Sequence, residues 1–224
     1  MNILDIYFAP SKVFSALKEK PRWVLPLVIV IVAVALTAVL TITFAGDEIM
    51  ARQTEALQER GLTDAQMEQA MQFTRGPIVF VAAAVNAAIF MAIILLLFSL
   101  VVNLFIPLFG GESAFKKVFA VICWSSLVLV PSVILKIVII AITKSPYATT
   151  SLALLAPGLA KNSFMYQLLA GFDFFTLWEM ILVAMGISIT NNMVRKNAYI
   201  LVFVIWVVSI FIGVGLASIF GRGS

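Results

Sequence analysis

The sequence has no histidine and a single cysteine, Cys123, among its 224 residues. The absence of histidine excludes histidine-based acid–base catalysis and any histidine-ligated metal or haem. One cysteine cannot form an internal disulfide or a cysteine-rich zinc site. Charged residues are also scarce, at 12% of the chain against about 25% in a soluble domain. So few charges cannot cover a water-exposed surface, which excludes a soluble globular enzyme.

Apolar residues are abundant instead, at 62% of the chain, and the mean hydropathy is +1.10. The net charge of +4 is spread along the chain and forms no basic cluster. We therefore expect no nucleic-acid partner. The sequence shows no cofactor-binding motif, and we expect no cofactor. The composition is that of an integral membrane protein, whose main partner is the lipid bilayer.

Long stretches without charge predict the membrane spans, since a helix needs about 20 mostly apolar residues to cross a bilayer. Lipid offers the backbone no hydrogen-bond partners, so each span must be a helix. The predicted fold is an all-α polytopic bundle forming one domain over residues 1–224. Its five spanning helices are predicted at residues 23–45, 78–106, 118–143, 174–194 and 198–220.

Lysine and arginine in the connections predict the orientation of the bundle. Residues 1–22 and two short connections carry positive charge on one side of the predicted membrane, with Lys116 and Lys117 in one connection and Arg195 and Lys196 in the other. The connections on the opposite side are longer and less densely charged. This pattern favours a cytoplasmic N-terminus and a C-terminus outside.

The segment before the first span is predicted to be an amphipathic helix. Val13, Phe14 and Leu17 fall on one face of it and the lysines fall elsewhere. This pattern is typical of a helix lying in the membrane interface, with Phe14, Leu17 and Trp23 as anchors. The helix either anchors the first span in the headgroups or senses curvature or a partner.

Residues 47–75 are the most polar stretch, with six acids against three arginines. A helix is predicted from Glu48 to Arg60, ended by Gly61. Thr63, with Gln66 three residues on, is typical of the start of a second helix. We expect an extracytoplasmic acidic hairpin that acts as a solvated cap in preference to a ligand site.

Lys136 and Glu179 are the ionisable residues deep within predicted spans. Each costs about 2.5–3.5 kcal/mol at the centre of a membrane helix and therefore needs a partner or a function. Counting residues from the outer ends of their spans places both at a similar depth. We predict an ion pair, which either fixes helix register or forms part of a proton or solute path.

Two ladders of small residues repeat every four positions, and such ladders allow helices to approach closely. The ladders pack either within the bundle or between protomers of a homo-oligomer. Their members are Ala84, Ala88 and Ala92 in the second span, and Gly213, Ala217 and Gly221 in the fifth.

Three short motifs occur in order along the chain. They are Tyr7-Phe8-Ala9-Pro10-Ser11-Lys12-Val13-Phe14 followed by Lys20-Pro21-Arg22-Trp23, then Gly110-Gly111-Glu112-Ser113-Ala114-Phe115-Lys116, then Phe172-Asp173-Phe174-Phe175-Thr176-Leu177-Trp178 with Gly186. Together they resemble bacterial members of the Yip (Ypt/Rab-interacting protein) family of integral membrane proteins.

The resemblance implies a five-helix protein of the bacterial cytoplasmic membrane with no enzyme activity. Eukaryotic relatives act in vesicle trafficking and associate with Rab-type GTPases and with each other. These eukaryotic relatives have a long cytoplasmic N-terminal region. Only 22 residues precede the first predicted span here, and this difference argues against GTPase binding. We expect a protein that organises or shapes the membrane or scaffolds other membrane proteins. The rival hypothesis is a small-solute or proton transporter or channel that uses Lys136 and Glu179.

Overall fold

The computed structural model describes residues 2–59, 61–63, 66, 76–146, 149–156, 158–160 and 163–220. For residues 56 and 217–220 it describes the backbone alone. Throughout these ranges the secondary structure is helical, apart from an isolated antiparallel bridge between Ser151 and Asp173. The all-α class is therefore confirmed.

Nine α-helices and three short 3-10 turns make up the described structure. The α-helices are α1 (Asp5–Phe8), α2 (Pro10–Glu19), α3 (Val24–Glu59), α4 (Ile78–Phe105), α5 (Phe115–Ser125), α6 (Leu129–Thr143), α7 (Phe164–Ala170), α8 (Phe174–Thr190) and α9 (Arg195–Phe220). The 3-10 turns are Ile106–Phe109, Ser126–Val128 and Leu152–Leu155.

Four helical stretches in the described part of the chain are long and apolar enough to cross a membrane. They are Val24–Glu59, Ile78–Phe109, Phe115–Thr143 and Arg195–Leu216. The predicted fourth span is the apolar helix α8, which has 17 residues. It is about 25 Å long, somewhat short of a hydrocarbon core of about 30 Å. The chain is a multi-pass membrane protein, and its described part contains four candidate spans and one shorter apolar helix.

A kink separates the first span from the acidic segment that follows it. Ala45 has non-helical dihedral angles (φ −126°, ψ 16°) and divides α3 at the residue where the first span was expected to end, and the helical backbone then continues to Glu59. Gly61 follows with φ +72°, a conformation that favours glycine and ends the helix as predicted. The predicted second helix of the hairpin falls largely outside the described residues.

The bundle is built around α5 and the turn that follows it. Every residue from Val118 to Val128 is buried, whereas α4 presents many apolar side chains on the outer surface. The connections 106–114 and 191–194 meet through the backbone bond from Glu112 N–H to the Asn191 carbonyl (2.9 Å). We call this end of the bundle the short-loop end.

The ladder in α4 lies on a face that turns towards the bundle. Its alanines are half-buried, and the same helical face continues to Leu95, Ser99 and Val102, which are buried. Gly213 of the second ladder is exposed, and a Cβ there would meet nothing within 4 Å. The side chain of Ala217 and all of Gly221 lie outside the described residues.

Candidate functional site

The N-terminal segment packs against protein, not against lipid. Ile6, Val13, Phe14 and Leu17 are all 0% exposed, and α2 lies against α8 and α5. The helix has the predicted amphipathic character, but its apolar face fills a groove of the bundle. The expectation that Phe14 and Leu17 anchor the chain in the membrane interface is wrong, because bundle side chains cover both.

Gly186 makes this docking possible. A Cβ at Gly186 would lie 2.4 Å from Val121 Cγ1 and 2.9 Å from Phe14 Cε1. Such distances are well inside the van der Waals contact of carbon atoms, at about 3.5–4.0 Å. The missing side chain of Gly186 therefore provides the space in which α2, α5 and α8 meet.

Tyr7 joins the segment to the start of α6. Its hydroxyl donates to the Leu127 carbonyl at 2.6 Å, and its ring packs on Trp178 with centroids 5.9 Å apart. Pro131, four residues after Leu127, has no N–H and cannot donate the usual helical bond to that carbonyl. Burial raises the pKa of the Tyr7 phenol, which keeps the hydroxyl protonated and able to donate.

Trp124 makes a second bond of the same kind. Its indole Nε1–H donates to the Arg22 carbonyl at 2.7 Å, just before α3 begins. Pro26, four residues after Arg22, again lacks the N–H that would otherwise lie nearest. Trp23 is half-buried and packs edge-on against Phe119, with centroids 5.3 Å apart. Trp23 therefore contacts protein on one side, at the point where the first span begins.

Asn191 and Asn192 connect the docked segment to both short connections. Asn191 Nδ2 donates to the Glu112 carbonyl at 2.7 Å, and Lys18 Nζ donates to Asn192 Oδ1 at 2.7 Å. A Cβ at Gly111 would lie 2.8 Å from Ile106 Cγ2, so this connection also needs glycine for close packing. The short-loop end is a polar network that binds the N-terminal helix to the bundle.

Glu179 is buried at the level of Ser126 and does not meet Lys136. Ser126 Oγ donates to Glu179 Oε1 at 2.5 Å, whereas the ion pairs among the described residues are Lys12–Asp5 and Arg52–Glu48. Lys136 lies ten residues beyond Ser126, a rise of about 15 Å along a helix. The predicted pair fails because the third span extends well beyond the start of α8.

We expect a double-mutant cycle to reflect this geometry. Ser126→Ala with Glu179→Leu should show a coupling of about 0.5–1.5 kcal/mol, the net contribution of a hydrogen bond. Lys136→Met with Glu179→Leu should show coupling near zero, since distant sites add. Thermal unfolding in detergent provides the measurement. The opposite ranking of the two couplings would restore the ion pair.

The sequence carries signals for two of these contacts. Pro26 and Pro131 each remove a backbone donor one turn after a carbonyl that an aromatic side chain then satisfies. Gly186 belongs to the third of the family motifs, but nothing in the sequence identifies Phe14 as its neighbour. Within the described residues there is no cluster of three or more potential metal ligands.

Comparisons with known proteins agree with this architecture. A family model described as the Yip1 domain matches residues 4–217. The chain is similar to a Bacillus subtilis protein described as "Membrane protein YknW", with 27% identity over 220 residues, covering 95% of this chain and 90% of that protein. No solved structure matches. The motifs that suggested the family lie largely at the docking site of the N-terminal segment.

Proposed function

The chain belongs to the Yip1 family, and from this premise we propose that it is a non-enzymatic membrane scaffold. It holds other membrane proteins and organises the surrounding lipid, and it neither converts nor transports a solute. The membrane is the bacterial cytoplasmic membrane, with the N-terminus in the cytoplasm.

The observation that carries the proposal is the way the N-terminal segment docks in a groove of the bundle. Phe14 and Leu17 fill the groove of the bundle, Tyr7 and Trp124 make hydrogen bonds across it, and Lys18 reaches Asn192. This construction favours one rigid shape. A transporter needs alternate access to a central site, and a docked helix of this kind opposes the movement.

The rival transporter hypothesis depended on Lys136 and Glu179 acting together. Glu179 bonds to Ser126 inside the bundle, and the ion pairs among the described residues do not include Lys136, which counts against a shared site. Neither Lys136 nor Glu179 lines the cleft at the start of α3 or the cleft between α7 and α9. No specific observation favours transport over scaffolding.

The scaffold proposal predicts that no solute or proton crosses the protein and that its contacts with other proteins are confined to one or two faces. Liposomes containing the protein should hold an imposed pH gradient as long as protein-free liposomes do. Photo-crosslinking residues introduced singly at four exposed positions should give discrete protein adducts in bacterial membranes from one or two faces only. The positions are Val32 in α3, Ile89 in α4, Ile134 in α6 and Val208 in α9, which are 50%, 54%, 59% and 49% exposed.

A gradient that collapses through the wild type and is retained by Glu179→Gln would overturn the scaffold proposal. Adducts from none of the four faces would also contradict it. The orientation has a separate test in a Cys123→Ala background. Glu59→Cys should react with an impermeant thiol reagent outside intact cells and Ser15→Cys should not; the reverse would place the N-terminus outside.

A further inference from the structure

A cleft of about 460 Å³ opens beside the start of the first span. Its volume falls within the range of about 300–1,000 Å³ that small-molecule sites occupy. Two chain segments form it, the turn leading into α3 and the face of α5. The lining residues are Pro21, Arg22, Trp23, Val24, Leu25, Pro26, Lys116 and Trp124.

The cleft brings together two cations that form no ion pair with any acid among the described residues. Arg22 and Lys116 are both exposed and line it from opposite segments. Both ion pairs in the described ranges lie elsewhere, at Lys12–Asp5 and Arg52–Glu48. An uncompensated arginine beside a lysine attracts a phosphate, which guanidinium binds through two parallel hydrogen bonds.

The remaining lining of the cleft is apolar and continues into the membrane. Val24 and Leu25 are 57% and 55% exposed, and they begin the charge-free part of α3. Trp23 lies at the junction, where tryptophan is enriched at membrane–water interfaces. The cleft therefore presents cations at headgroup level and an apolar wall where acyl chains lie.

Two side-chain contacts fix the turn that leads into α3. Trp124 fixes the Arg22 carbonyl, and Phe119 supports the Trp23 ring. Pro21 and Pro26 restrict the backbone on either side. The cleft is thus preformed and requires no rearrangement to accept a ligand.

We propose that this cleft binds the phosphate of an anionic phospholipid, with Arg22 and Lys116 as its ligands and the acyl chains along Val24 and Leu25. The chemistry is shared with free phosphate, but the apolar wall distinguishes a lipid from an inorganic ion. The lipid site goes beyond the scaffold function, since it assigns a ligand to the cleft. The proposal does not depend on whether partner proteins bind.

The full-length protein in an uncharged detergent tests the proposal by native mass spectrometry with increasing dioleoylphosphatidylglycerol. The wild type should bind one lipid per chain preferentially, and Arg22→Gln with Lys116→Gln should weaken this binding at least tenfold. The matched control is Arg195→Gln with Lys196→Gln. It removes the same charges from exposed positions at the short-loop end outside the cleft and should change affinity less than twofold.

Two further arms decide the ligand. Dioleoylphosphatidylcholine should not form the one-to-one complex, and millimolar inorganic phosphate alone should not protect the protein against thermal unfolding as the lipid does. Charge-conserving Arg22→Lys with Lys116→Arg should retain most of the affinity. Equal losses in the cleft and control variants, equal binding of phosphatidylcholine, or full protection by inorganic phosphate would each overturn the proposal.

Discussion

Gly186→Leu should release the N-terminal segment from the bundle. Even the Cβ of a substituted residue would overlap Val121 Cγ1, at 2.4 Å, and the Phe14 ring, at 2.9 Å. A whole leucine side chain cannot enter this contact, so α2 must leave the groove. We expect trypsin to cleave after Lys12 and Lys18 far faster than in the wild type, and the midpoint of thermal unfolding to fall by several degrees.

The smaller change gives a finer test. Gly186→Ala should destabilise by about 1–3 kcal/mol through overpacking, although alanine is the better helix former. Gly215→Ala in α9 is the matched control, because a Cβ there meets nothing within 4 Å. It should leave stability unchanged or raise it by up to about 1 kcal/mol.

A compensating change identifies the cause of the Gly186→Ala effect. Val121→Ala removes the Cγ1 atom that the new Cβ would meet. The double variant should therefore lose less stability than the sum of the two single variants. Strict additivity would show that α5 and α8 do not meet at this point.

Phe14→Ala should have the second large effect, also on the docked segment. Removing a fully buried phenylalanine costs about 3–5 kcal/mol, from lost apolar burial and the cavity left behind. Phe14 is 0% exposed, and it fills the groove beside Gly186. The expected result is rapid tryptic cleavage within α2 while the transmembrane bundle remains intact.

Phe8 provides the matched control, because it belongs to the same segment but is 85% exposed. Phe8→Ala should change tryptic cleavage and stability little if protein contacts hold the segment. If insertion into lipid held it instead, exposed Phe8 would contribute more than enclosed Phe14. A larger effect of Phe8→Ala than of Phe14→Ala would therefore contradict the docking.

Apolar patterning alone predicted most of the helical framework. The second span, expected at residues 78–106, is α4 at Ile78–Phe105, and the third ends at Thr143 as expected. These bounds are set locally, because charges and glycines or prolines interrupt the apolar runs at their ends. The first span was expected to end at residue 45, and Ala45 is the non-helical residue that divides α3.

The destination of the amphipathic face was not predictable from α2 by itself. Val13, Phe14 and Leu17 form an apolar stripe that suits a lipid interface and a protein groove equally well. The choice depends on whether the bundle offers a complementary surface, and that surface comes from Val121 and Gly186, more than 100 residues away. Such long-range complementarity leaves no periodic signal in the sequence.

The error over Lys136 and Glu179 has a different cause. We assumed that neighbouring spans end at one level, which holds only for helices of similar length. Ser126 lies level with Glu179, and the helix that follows it continues to Thr143. Depth within the membrane therefore cannot be obtained by counting residues from the end of each span separately.

The central claim, that the N-terminal helix lies in a groove against α8, is tested most directly by a cysteine crosslink. Ser11 Oγ lies 3.6 Å from Met185 Sδ. In a Cys123→Ala background, Ser11→Cys with Met185→Cys should join rapidly under mild oxidation in the membrane, while Lys12→Cys with Met185→Cys should join slowly. Equal and slow crosslinking of both pairs would mean that the segment lies away from α8, and the account would be wrong.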